Sequence, residues 1–87
     1  MRKYRSETRK PANIAAEVTC DIGAGFMRKV PGTVQDVSSS GMGLLVPLPF
    51  TVGASVKIVS SEKTHSAVVR RCVPEKGKHI LGVKLEP

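Results

Sequence analysis

Tryptophan is absent from these 87 residues, and the only aromatic side chains are Tyr4, Phe26 and Phe50. Proteins that hold single-stranded nucleic acid stack its bases on aromatic platforms, so a basic chain this poor in aromatics is a weak candidate for that task. Cysteine is scarce too. Cys20 and Cys72 are too few for a disulfide framework and read as buried free thiols. A structural zinc ion needs four ligands. Cys20, Cys72, His65 and His79 would supply the number, but no two of them form a local pair, so no metal and no cofactor are expected. Only two histidines, His65 and His79, are available, and the acids are scattered, so catalysis has no support and no catalytic residue is nominated. Long apolar runs are missing as well. Nothing approaches the roughly 20 residues of a membrane span, and no signal-peptide core follows Met1. A cytoplasmic chain with no membrane insertion is the expectation.

What is present is positive charge. Fourteen Lys and Arg stand against seven Asp and Glu, a formal net charge of +7, and such a balance points to an anionic partner without naming it. The charge is uneven. Arg2, Lys3, Arg5, Arg9 and Lys10 face only Glu7 in the first ten residues, a segment without apolar periodicity. Residues 1–10 therefore read as a flexible basic arm, and residues 11–87 as one domain.

From Ile14 the pattern is strict alternation. Ile14, Ala16, Val18 and Cys20 point one way, and Ala15, Glu17 and Thr19 the other, which is the period of a half-buried strand. Asp21 to Gly25 reads as a turn. A second strand spans about Phe26 to Val37, with an interruption expected at Pro31-Gly32. Asp36 to Gly41 is a turn on composition, and Met42 to Val46 a short apolar strand. Three more strands are expected around Val56–Ser60, Ser66–Val73 and His79–Leu85, the last two joined by a turn at Pro74–Gly77. No segment carries a 3.6-residue period. Six short strands at regular spacing predict an all-β fold, a small antiparallel barrel whose closure removes exposed edges, with no C-terminal helix after Leu85.

Two local patterns remain. Arg5-Ser-Glu-Thr-Arg9 by itself reads as a solvated basic tail. Asp36-Val-Ser38-Ser-Ser-Gly41 by itself reads as a turn in which Asp36 or Ser38 bonds nearby N–H groups and Gly41 takes a positive φ. In combination, R-x-x-x-R followed by D/N-x-S-x-x-G resembles the signature of the PilZ domain. Softer matches are Gly41-Met-Gly-Leu44, the proline-rich loop ending at Gly53, Ala67-Val-Val69 and Ile80-Leu-Gly-Val83-Lys-Leu85. The resemblance covers nearly the whole chain.

That resemblance implies a six-stranded antiparallel barrel and a non-enzymatic bacterial receptor for the second messenger cyclic di-GMP, with Arg5, Arg9, Asp36, Ser38 and Gly41 as ligand-binding residues. It also implies that the position of Tyr4 bears on whether one ligand or a stacked pair is held. The side chains suit such a ligand. An arginine fork matches the O6/N7 edge of guanine, stacks on a base and pairs with phosphate. A carboxylate at Asp36 complements the N1–H and N2–H₂ donors of guanine, and Ser38 donates or accepts at short reach. Arg70 and Arg71 are candidates for added contacts; as strand neighbours they are expected on opposite faces, with Arg71 on the side of Ala67, Val69 and Val73 if those point inward. Ordering of the arm on binding would reshape a surface read by a downstream protein or a fused domain. The competing readings are a PilZ-like protein-interaction module without ligand and, behind it, a basic barrel for single-stranded nucleic acid. No nucleic-acid polymer is expected as a partner.

Overall fold

The structure, a computed structural model, describes residues 10–61 and 63–86. Six strands account for most of them: β1 (Lys10–Gly23), β2 (Phe26–Val37), β3 (Gly41–Val46), β4 (Ser55–Ser60), β5 (Lys63–Glu75) and β6 (Lys78–Leu85). They close into an antiparallel barrel in the order β1-β2-β3-β6-β5-β4, and no helix occurs among the described residues.

The barrel follows from the period-two pattern. Val18 and Cys20, Val30 and Val34, Met42, Leu44 and Val46, Val56 and Ile58, Ala67 and Val69, and Leu81 and Val83 all turn inward and are buried. Phe50, from the β3–β4 loop, joins this core. No polar or charged residue is buried among those described. The interior is therefore held by apolar burial alone, with the backbone polar groups paired along the strands. Ile14 shares the inward phase of Val18 but remains exposed. The reason is register: β4 pairs with β1 only from Glu17 to Cys20, so nothing covers β1 on that side at Ile14.

The strand at Pro31-Gly32 is not interrupted. β2 is continuous, with Pro31 opposite Glu17 and Gly32 opposite Ala16. β3 pairs with β2 only from Thr33 onward, so Pro31 lies where one flank of β2 has no ladder to supply, the position at which a strand tolerates proline. Gly32 allows a close approach, since a Cβ there would lie 2.9 Å from Val46 Cγ1 and 3.1 Å from the Leu45 carbonyl oxygen.

Two irregularities shape the outer wall of the barrel. The ladder slips by one residue between Val34 and Asp36 in β2 and between Val69 and Arg71 in β5. An extra residue in one strand reverses the facing of all that come after it. Val73, expected inward, is thus 42% exposed, and Cys72 packs against the core in its place. Cys20 is buried and Cys72 half-buried, both as free thiols.

Candidate functional site

The turn between β2 and β3 is built from its own side chain. The Ser38 N–H donates to the Gly41 carbonyl at 2.9 Å. The Gly41 N–H donates to Ser38 Oγ at 3.2 Å, and the hydroxyl lies 3.4 Å from the Gly41 carbonyl. Gly41 does not take a positive φ. Its smallness is needed for packing instead. A Cβ there would sit 2.7 Å from the Val83 carbonyl oxygen, so β3 and β6 could not approach as they do.

On β3, Met42, Leu44 and Val46 face the core, which turns Gly41 and Gly43 to the outer wall. Gly43 is paired with Gly82 on β6. Gly43 is also paired with Asp36 on β2, and Gly82 with Arg71 on β5. One row therefore crosses the outer wall of four strands: Asp36, Gly43, Gly82, Arg71. Three interstrand steps separate its ends, about 14 Å along the wall. The two central glycines have no side chain of their own, and the flanking side chains lean over them, so that Gly43 is buried and Gly82 half-buried. A Cβ on Gly43 would meet Asp36 Oδ2 at 2.9 Å, and one on Gly82 would meet Arg71 Nε at 3.7 Å.

Beside this row lies a cavity of about 540 Å³ lined by Ser38, Ser40, Gly41, Arg70, Arg71, Gly82, Val83 and Lys84. Arg70 and Arg71 do not face opposite sides of the sheet. The β5 bulge turns both toward this concavity. Three cations and no acid line it, so its field favours an anion. Guanidinium groups add planar forks suited to phosphate and to guanine edges.

Of the residues nominated from sequence, Asp36, Ser38, Gly41, Arg70 and Arg71 meet on this wall. Tyr4, Arg5 and Arg9 lie outside the described residues. The first described residue, Lys10, is paired with Val37, and Pro11 with Asp36. The chain thus enters the barrel beside the Ser38–Gly41 turn. Sequence reading missed Ser40, Gly43, Gly82 and Lys84. The glycines carried a legible signal, since each interrupts an apolar strand at an outward position. Ser40 and Lys84 carried none. They join the site only because β6 pairs with β3, placing Lys84 opposite Gly41 and the Leu85 N–H on the Ser40 carbonyl at 2.7 Å. Among the described residues, no three His, Cys, Asp or Glu side chains are grouped to hold a metal ion.

Fold and site together define a small closed β-barrel with a cationic, glycine-floored concavity on its outer wall. The family described as PilZ domain matches residues 3–87, and the chain belongs to that family. Its fold is similar to that of the Bacillus subtilis inhibitor of motility (MotI/DgrA), with a TM-score of 0.71 and 18% sequence identity. The match covers 98% of this chain and 43% of that one, so the chain spans less than half the length of that protein. No curated protein matches the chain. No helix among the described residues is long and apolar enough to cross a membrane.

Proposed function

We propose that this barrel is a non-enzymatic receptor for cyclic di-GMP. The observation that carries the reading is the outer wall itself, where Asp36, two glycines and Arg71 form one row beside a cavity lined by Arg70, Arg71 and Lys84. The ligand presents two guanine bases and two phosphodiester charges. A flat base needs a wall of low relief, which Gly41 and Gly82 give the cavity. The guanine N1–H and N2–H₂ donors need an acceptor, which the Asp36 carboxylate supplies. The two negative charges need cations in fixed positions, and the arginines and Lys84 are such cations.

Ser38 acts mainly by shaping the turn, because its hydroxyl is already engaged with Gly41. Arg5 and Arg9, which precede the Lys10 and Pro11 paired beside this turn, act as a closing arm on the bound ligand. The ordered arm then offers a downstream protein, or a domain joined to this one, a surface it lacks in the free state.

Isothermal titration of the purified chain with cyclic di-GMP tests the reading, with GTP and a short single-stranded oligonucleotide as controls. Saturable heat with cyclic di-GMP alone is expected, and its stoichiometry separates one ligand from a stacked pair. Arg5→Ala and Arg9→Ala are expected to abolish that heat while leaving the thermal midpoint unchanged. Absence of heat with the parent chain would discard the receptor reading in favour of a ligand-independent interaction module.

A further inference from the structure

The β1–β2 hairpin outruns the barrel. β4 covers β1 only as far as Cys20, yet β1 and β2 stay paired to Gly23 and Phe26. The last turn of this ribbon stands clear of the other strands. It is closed by Ala24 at φ 54° and Gly25 at φ 82°, both in the region that two-residue hairpin turns require. Its tip exposes three large apolar side chains: Ile22 at 61%, Phe26 at 67% and Met27 at 54%. Neither the core nor the ligand site uses them.

Cations stand immediately behind this tip. Thr19 is paired with Lys29 on one side and Lys57 on the other, and both lysines are exposed. Arg28, next to Lys29, holds its guanidinium 4.7 Å over the Phe50 ring. The opposing charges are Asp21, whose carboxylate accepts the Gly23 N–H at 2.8 Å, and Glu86, which lines a cavity with Thr19, Met27 and Lys57. The ribbon is thus a convex apolar point, behind which the cations Arg28, Lys29 and Lys57 outnumber the acids Asp21 and Glu86.

We propose that this tip seats in the interfacial layer of an anionic lipid bilayer. A protein partner would need a pocket shaped to a narrow protruding ribbon. A bilayer surface yields to any convex apolar shape, and its negative potential draws the cations toward it. The lysine stems lie along the boundary with their ammonium groups among the headgroups. Ile22, Phe26 and Met27 enter the boundary, and no segment spans. This departs from the expectation of no membrane insertion, which rested on the lack of a long apolar run. The Ser38–Gly41 turn is at the opposite end of β2 from the tip, so seating leaves the candidate ligand site open to solvent. The two functions are independent.

Co-sedimentation of the whole chain with vesicles tests this, using phosphatidylcholine alone and phosphatidylcholine mixed with phosphatidylglycerol. The chain is expected to pellet with the mixed vesicles and to stay in solution with the neutral ones. F26S combined with M27S is expected to lower the partition by about tenfold or more, and K29E combined with K57E to do likewise. The thermal midpoint of each variant checks its fold. As a second readout, F26W introduces the only tryptophan of the chain, and its emission is expected to shift to the blue on mixed vesicles. Equal pelleting with both vesicles, no pelleting with either, or a serine variant that partitions like the parent would overturn the proposal. Failure to pellet with either vesicle would leave the tip to a protein partner.

Discussion

The Asp36 carboxylate and the Arg71 side chain lean over two glycines, Gly43 and Gly82, that are paired with each other across β3 and β6. The anion and the cation therefore cover the two halves of one glycine pair, Gly43 being buried and Gly82 half-buried. The two glycines are not equivalent. A Cβ on Gly43 would press on the carboxylate at 2.9 Å, whereas one on Gly82 would touch Arg71 Cβ at 3.6 Å, an ordinary contact. Gly43→Ala is expected to displace the carboxylate and weaken cyclic di-GMP binding about tenfold, with less than about 1 kcal/mol lost in stability because a side-chain end can swing aside. Gly82→Ala should weaken binding less. Titration of both variants checks the order, and the reverse ranking would count against Asp36 as a ligand contact.

Gly41 differs again, because its neighbour is backbone. A Cβ 2.7 Å from the Val83 carbonyl oxygen cannot be relieved by rotating a side chain. Gly41→Ala should force β3 and β6 apart and cost about 2 kcal/mol or more, in the range of overpacking. Urea unfolding would show this as a lower midpoint. A midpoint equal to that of the parent would mean that the strands yield more readily than their pairing suggests.

The cavity cations should reveal themselves through salt. Arg70→Ala, Arg71→Ala and Lys84→Ala each remove one charge from a cavity whose lining contains no acid. A hydrogen bond to a charged group contributes about 1.5–3 kcal/mol, so each arginine variant should lose about tenfold or more in affinity. Lys84→Ala should lose less, as a point charge without a fork. Each variant should also show a shallower dependence of affinity on salt concentration than the parent chain. Titrations at two ionic strengths decide it.

The β5–β6 hairpin turns at Lys76 and Gly77, with φ of 48° and 82°. A left-handed conformation disfavours a lysine and suits asparagine. Lys76→Asn is therefore expected to raise stability by about 0.5–1 kcal/mol without touching the ligand wall, visible as a higher thermal midpoint with unchanged affinity.

The interior should be intolerant. Leu44 and Leu81 are fully buried and paired with each other across β3 and β6. Truncation of either to alanine should cost about 2–5 kcal/mol. Small domains have little more than that in total, so a lowered unfolding midpoint and a measurable unfolded fraction near room temperature are expected from denaturant curves.

Much of this was legible in the chain before folding. Alternation marked each strand because side chains on a strand have a fixed period of two. Gly23–Gly25 and Pro74–Gly77 marked hairpins because left-handed backbone selects glycine. The spacing of Asp36, Ser38 and Gly41 belonged to the chain as well, since a turn is a local object and its hydrogen bonds reach only between near neighbours. The role of Gly41 was less legible: its composition and place suggest a positive φ, while its actual constraint is the Val83 carbonyl on β6, a strand far along the chain.

Register supplied the rest. A one-residue slip in β5 leaves no mark in composition, yet it turns Arg70 and Arg71 to one cavity and exchanges Val73 for Cys72 at the core. Lys84 and Ser40 enter the site through the pairing of β6 with β3, a long-range choice that no local pattern encodes. Gly43 and Gly82 became neighbours only when the barrel placed them side by side between Asp36 and Arg71. Alternation, turns and cationic charge were readable along the chain, because they depend on composition and on neighbours along the backbone. Which cations share a wall, and which glycines lie beneath them, depended on how the strands slid against one another while burying their apolar faces.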